Sequence, residues 1–175
     1  LFDDHIDPIL ITDFTGKILE ANRQASTILA QNRNDLPSLK IDQIISLNEQ
    51  KLGKNFELVE PTITVTYDSE MRTANNRKIP AEVTARQVNF SGVKSIQWLL
   101  RDISERIDLD ALRNDLIAMV YHDLRSPLAN VTASLDILSS LTPPDRDETT
   151  VSLLNIAMRS SDRIQRLLNS LLDVY

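Results

Sequence analysis

The chain has 175 residues, 42% of them hydrophobic, and a formal net charge of −6. This acidic balance, without clustered lysine and arginine, argues against a nucleic-acid or anionic-membrane surface. The absence of cysteine excludes disulfides, thiolate metal sites and cysteine nucleophiles. No apolar run approaches the ~18 residues of a membrane span, so we expect no membrane segment in this chain.

The first residue is Leu1 rather than methionine, and no signal-peptide pattern follows it. We therefore expect a part of a longer protein whose flanking segments could hold membrane helices. For this part itself we expect a cytoplasmic location.

Residues 1–102 carry the pattern of an antiparallel β-sheet, with short runs of period-two alternation separated by turn residues. The run from Pro8 to Phe14, followed by Thr15-Gly16 and residues 17–20, predicts a hairpin. Asn22 is placed to cap a short helix through Ala30.

Three more strands are predicted further along, around residues 63–67, 81–85 and 94–102. Turns are predicted at 75–76 and 91–92, and short helices and loops at 31–58. Trp98 and Tyr67 are expected to be core residues. The pattern therefore predicts an α+β domain, a five-stranded antiparallel sheet with helices inserted after the second strand.

After residue 103 the hydrophobic period changes to 3.5, which predicts a helix over about 104–140 and a second over about 147–175. The repeating positions are Leu109, Leu112, Leu116, Met119, Leu128, Val131, Leu135 and Leu138, then Leu154, Ala157, Ser161, Ile164, Leu168, Leu171 and Tyr175. Two such helices joined by the loop at Leu141-Thr-Pro-Pro-Asp form an antiparallel hairpin with an exposed apolar stripe. We expect a second copy to cover it, giving a homodimeric four-helix bundle.

One histidine lies inside the first of these helices, in the stretch MVYHDLRSPLANV at 119–131. Pro127 follows His122 by five residues. A proline inside a helix removes the hydrogen bond to the carbonyl four residues back, here that of Asp123, at a cost of roughly 3 kcal/mol. Distortions of this kind often mark working sites, so His122 is the first candidate for chemistry.

Residues 1–102 resemble a PAS sensor domain, and residues 103–175 resemble the HisKA-type dimerisation and histidine-phosphotransfer (DHp) domain of sensor histidine kinases. The stretch YHDLRSPL at 121–128 is similar to the H-box of that family. The stretch RDISER at 101–106 is similar to the junction at which many PAS domains end. The resemblance covers nearly the whole chain and implies two domains joined by a coiled-coil helix.

The resemblance implies the sensory and phosphoacceptor region of a two-component sensor histidine kinase. His122 would be autophosphorylated from ATP bound by a domain after Tyr175 and would pass the phosphoryl group to an aspartate of a response regulator receiver domain. ATP and Mg²⁺ would serve the intact kinase. The chain has three glycines, none in a phosphate-binding motif, so we expect it to be inactive alone.

Neutral imidazole is an available nucleophile near pH 7, which suits His122 as phosphoacceptor. The resemblance gives Asp123 an acid/base role and places Ser126 where relatives carry a threonine or asparagine that positions water for dephosphorylation. Arg125 either contacts phosphate or the partner, or is a solvated surface residue. Pro127 would bend the helix so that its halves move relative to each other.

The sensory ligand stays open. Without cysteine, and without histidine between Ile6 and Tyr121, we expect neither a flavin adduct nor haem held by an axial histidine. Two other functions remain open: a phosphotransfer protein that is not a kinase, and a PAS-driven dimerisation module without phosphorylation.

Overall fold

The computed structural model describes residues 2–140 and 148–173, so the predicted loop at 141–147 and residues 174–175 lie outside the described residues. The chain forms two compact units, one ending at Ile107 and the other beginning at Asp108. Each is described by itself below.

The first unit is built on one antiparallel sheet of five strands in the order β2-β1-β5-β4-β3. The strands are β1 (Ile9–Thr12), β2 (Ile18–Ala21), β3 (Thr64–Arg72), β4 (Lys78–Phe90) and β5 (Val93–Asp102). Between β2 and β3 lie α1 (Arg23–Leu29), α2 (Ile41–Ile44), α3 (Glu49–Leu52) and a single 3-10 turn (Leu36–Ser38). The predicted sheet, with helices inserted after its second strand, is confirmed.

Local chemistry explains where these elements begin and turn. Asn22 accepts a hydrogen bond from the N–H of Ala25 (2.9 Å), which caps α1. The turn between β4 and β5 has positive φ at both Ser91 (52°) and Gly92 (82°). This is the backbone form that matches the twist of a two-residue hairpin, and glycine adopts it without steric cost.

The core lies between one face of the sheet and the inserted helices. Trp98 at its centre is fully buried and meets Phe56 edge to face, with ring centroids 5.5 Å apart. Its indole Nε1 donates to the buried Thr12 hydroxyl (2.9 Å), which satisfies the polar atom of this otherwise apolar side chain. Tyr67 is also buried, and burial raises its pKa to about 12. Both residues are core residues, as predicted.

The second unit is helical. α4 spans Ser104–Ser140, starting within the first unit, and α5 spans Glu148–Asp173. Tyr121 is hydrogen-bonded to Asn169 and Thr132 to Ser161, so the helices run antiparallel as a hairpin. Most of the repeating leucines on α4 are about half exposed in the single chain, and the predicted dimeric bundle stays a prediction. Among the residues described, no helix is both long and apolar enough to cross a membrane.

Replacing Thr12 by valine tests the Trp98 contact. The change keeps the shape of the side chain but leaves a buried indole N–H without an acceptor, so we expect the free energy of unfolding to fall by about 1–3 kcal/mol. Trp98 is the only tryptophan, and its fluorescence during urea titration reports this unit alone. The exposed Thr62→Val is the matched control. Equal midpoints for the two variants would refute the assigned contribution of this hydrogen bond.

Candidate functional site

His122 projects from α4 into solvent, with 89% of its side chain exposed. Its Nδ1 lies 3.5 Å from Oδ1 of Asp123, at the long limit of a hydrogen bond. Adjacent residues on a helix point about 100° apart, so this contact depends on both rotamers. With Nδ1 turned toward the carboxylate, Nε2 faces solvent as the free ring nitrogen.

Pro127 lies inside α4, which continues on both sides of it. Proline has no N–H, so the carbonyl of Asp123 receives no hydrogen bond from position 127. The weakened turn thus begins directly after the exposed imidazole.

Ser126 lies on the same turn and is exposed. Other hydroxyls on the two helices, those of Thr132, Ser134 and Ser160, donate to the carbonyl four residues back. Within the described residues Ser126 makes no such bond. Its hydroxyl is therefore available to water or to a bound partner.

Arg125 borders a small recess between the two helices, together with Tyr121, Leu128, Gln165, Leu168 and Asn169. In the described part of the chain its guanidinium has no ion-pair or hydrogen-bond partner. The positive charge is therefore free to meet an anionic group next to His122. This geometry is compatible with both predicted roles of Arg125, a contact to phosphate or the partner and a solvated surface residue.

Two cross-helix contacts flank the site, and sequence reasoning missed both. Tyr121 donates to Oδ1 of Asn169 (3.1 Å), and the hydroxyls of Thr132 and Ser161 lie 2.7 Å apart. In the sequence, Ser161 stands at a position of the hydrophobic repeat. A serine in an apolar seam is the signal that could have predicted a buried polar partner on the facing helix.

The junction between sheet and helix is continuous through Ile103, which is buried. Its N–H donates to the carbonyl of Pro80 on β4 (3.1 Å), and its carbonyl accepts from the N–H of Ile107 in α4 (3.0 Å). Asp102 accepts from the N–H of Ser104 (2.8 Å), satisfying a free donor at the helix start.

A row of charged residues crosses the sheet at the same junction. Asp68, Glu82 and Arg101 lie directly opposite one another on β3, β4 and β5. The two neighbouring carboxylates would repel. Arg106, in the first turns of α4, lies 3.6 Å from Asp68 and 3.8 Å from Glu82, and so places a positive charge between them.

His5 is exposed and accepts a hydrogen bond from the N–H of Asp7 (3.1 Å). Within residues 2–140 and 148–173, no three histidine, aspartate or glutamate side chains are grouped to hold a metal ion. The three glycines occupy separate positions with positive φ and form no common loop.

Two family models match the chain in succession. A PAS domain model matches residues 6–105, and the model of the His Kinase A (phospho-acceptor) domain matches residues 112–175.

Curated relatives match along most of this chain. An uncharacterized sensor-like histidine kinase ycf26 from Pyropia yezoensis is 28% identical over 96% of the chain, which covers 27% of that protein. The sensor protein kinase WalK of Staphylococcus aureus is 26% identical over 96% of the chain, which covers 39% of it. The chain thus spans roughly a quarter to two fifths of the length of these relatives.

Solved structures match the first unit at the level of the fold. The PAS domain of an HTR-like protein from Haloarcula marismortui has a TM-score of 0.54 and 17% identity, covering 59% of this chain and 91% of that one. The PAS domain of nitrogen regulation protein NR(II) from Vibrio parahaemolyticus has a TM-score of 0.50 and 19% identity, covering 58% and 94%. Both bear on the fold alone.

Proposed function

Because the chain belongs to the PAS family and carries a His Kinase A phospho-acceptor domain directly after its PAS domain, we propose that it is the sensory and phosphoacceptor region of a two-component sensor histidine kinase. The observation that carries the proposal is His122, a solvent-exposed imidazole inside the matched phospho-acceptor domain, beside a carboxylate and a helix-breaking proline.

In the proposed reaction Nε2 of His122 attacks the γ-phosphorus of ATP. A nitrogen–phosphorus bond forms while the bond from that phosphorus to the bridging oxygen of ADP breaks. Positive charge develops on the ring, and Asp123, 3.5 Å from Nδ1, stabilises that charge and can accept the Nδ1 proton. The resulting phosphohistidine is labile enough to pass its phosphoryl group to an aspartate of a response regulator.

The other components of the reaction come from outside this chain. ATP and Mg²⁺ would be held by a further domain of the intact protein, and without it the chain would not label itself. The acceptor would be a response regulator receiver domain, and we place the reaction in the cytoplasm. A second copy of the chain would cover the half-exposed leucine stripe of α4.

The sensory signal would leave the PAS domain through the Ile103 junction. The backbone of Ile103 is hydrogen-bonded to both β4 and α4, and Arg106 contacts carboxylates on β3 and β4. A change in the sheet therefore acts on the start of α4 without an intervening flexible linker. In a coiled coil, a small rotation at this end shifts the phase of the whole seam.

The first test concerns the acceptor. In the intact protein supplied with Mg-ATP, we expect acid-labile, base-stable phosphate on His122, and no label in His122→Gln. His5→Gln removes the only other histidine of this chain and should label normally. Labelling of His122→Gln at the wild-type rate would refute the proposed acceptor.

A second test concerns the junction. One residue inserted at Asp108 rotates everything downstream by about 100°, whereas seven residues restore the phase to within about 20°. We expect autophosphorylation of the intact kinase to change with one inserted residue and largely recover with seven. Equal activity in the two variants would mean that α4 is a passive tether.

A third test concerns dephosphorylation of the regulator, in which Ser126 would orient water. Serine lacks the β-methyl group that restricts the rotamers of threonine, so we expect looser positioning and weak phosphatase activity. Misplacement by about 1 Å can cost ~100-fold in rate. Loss of phosphate from the purified regulator should be faster with Ser126→Thr and slower with Ser126→Ala.

The Ser126→Ala variant tests whether Ser126 takes part in dephosphorylation, and the Ser126→Thr variant tests the effect of side-chain rotamers. If Ser126→Ala is as fast as wild type, Ser126 has no role in dephosphorylation. If Ser126→Thr is no faster than wild type, the rotamer argument is wrong.

A further inference from the structure

The two helices of the hairpin differ in continuity. α4 contains Pro127, so its hydrogen-bond ladder is interrupted between Asp123 and Pro127. α5 has no proline anywhere in Glu148–Asp173 and keeps its ladder. The unbroken helix therefore lies alongside the broken one and contacts both of its halves.

A polar contact joins each half of α4 to α5. Before the proline, Tyr121 donates to Asn169 (3.1 Å), and after it Thr132 meets Ser161 (2.7 Å). Thr132 donates its proton to the carbonyl of Leu128 (3.0 Å), so Ser161 is the donor to Thr132. The second contact thus reaches back to the turn that directly follows the proline.

These contacts restrict movement in a way that the neighbouring leucines do not. Apolar contacts are non-directional and tolerate small shifts between helices. A hydrogen bond requires a particular distance and angle. Ser161 is only 4% exposed, so a shift of the helices would leave its hydroxyl buried without a partner.

The contact between Tyr121 and Asn169 lies directly beside the phosphoacceptor histidine. Tyr121 directly precedes His122 in the chain, so the backbone that bears the imidazole is held one residue away from the Asn169 contact. On its other side, that backbone meets the weakened turn at Asp123. In the described residues, the hydrogen bond from the Tyr121 hydroxyl is the one to α5 that lies nearest to His122.

We propose that Tyr121 is a positioning residue for the phosphoacceptor, because its hydrogen bond to Asn169 holds the His122-bearing half of α4 against α5. The Thr132–Ser161 contact holds the other half independently. Removing the Tyr121 hydroxyl therefore loosens the acceptor half and leaves the Thr132–Ser161 contact in place. This inference rests on the proposed function and gives a role to Tyr121, a residue of the H-box-like stretch to which the resemblance assigns none.

Autophosphorylation of the intact kinase tests the role of the hydroxyl. Tyr121→Phe removes only the hydroxyl, and we expect kcat to fall about 3- to 10-fold with the KM for ATP unchanged, since small misplacements of a reacting group lower the rate steeply. Tyr67→Phe is the matched control, because it removes a buried tyrosine hydroxyl from the other compact unit. That variant should keep the wild-type kcat.

Variants at Asn169 separate positioning from a general loss of structure. Asn169→Ala should match Tyr121→Phe, and the double variant should be no slower than either single one, because both remove the same contact. Asn169→Asp keeps an acceptor for the tyrosine hydroxyl and should retain most of the activity.

The outcomes distinguish this inference from the proposed function. If wild type acquires no phosphate on His122, the proposed function fails. If wild type is labelled there and Tyr121→Phe has the same kcat, only the positioning role fails. Additive losses in the double variant, or a loss in Asn169→Asp equal to that in Asn169→Ala, would also overturn it.

Discussion

The peptide of Ile103 takes part in two hydrogen-bond systems at once. Its N–H donates to the carbonyl of Pro80 in the sheet. Its carbonyl accepts from the N–H of Ile107 in the first turn of α4. Burial of the Ile103 side chain holds this peptide in place. The start of α4 is therefore fixed to the sheet by backbone hydrogen bonds.

The charged row beside this peptide helps to position the start of α4 but contributes little to the stability of the fold. The side chains of Arg106 and Asp68 are each more than half exposed, and ion pairs of this kind contribute little free energy in water. Arg106 of α4 nevertheless places a cation between the two carboxylates on adjacent strands, and Arg101 of β5 lies 3.9 Å from Glu82 as well. The positive charge at the start of α4 thus lies next to the negative charges on the sheet.

Local patterns in the sequence predicted the elements well, because burial on one face leaves a period of two in strands and 3.5 in paired helices. Alternation at Ala81, Val83 and Ala85 marked β4, and Asn22 marked the start of α1. In β1, by contrast, all four residues are buried, so its pattern does not show which face meets the core. Strand order is likewise set by contacts distant in sequence, and no local pattern predicts it.

The sequence predicted those functional residues of the site that lie within a few positions of His122. Contacts across the hairpin were not, because Tyr121 and Asn169 are 48 residues apart and their meeting depends on helix register. The approach of His122 to Asp123 depends on rotamers, which spacing cannot predict. The charged row at Glu82 needs the register of three strands, which only the assembled sheet defines.

The pairing of β1 with β5 also orders events during synthesis of the protein. Ile9 lies opposite Leu99, and the buried bond between Thr12 and Trp98 joins residues 86 positions apart. β1 therefore leaves the ribosome long before its central partner exists, and closing so long a loop is slow. Until β5 emerges, the apolar segment Ile9–Thr12 has an unpaired edge that is open to aggregation. Since α4 begins two residues after β5, the phosphoacceptor helix follows the strand that closes the sheet directly out of the ribosome.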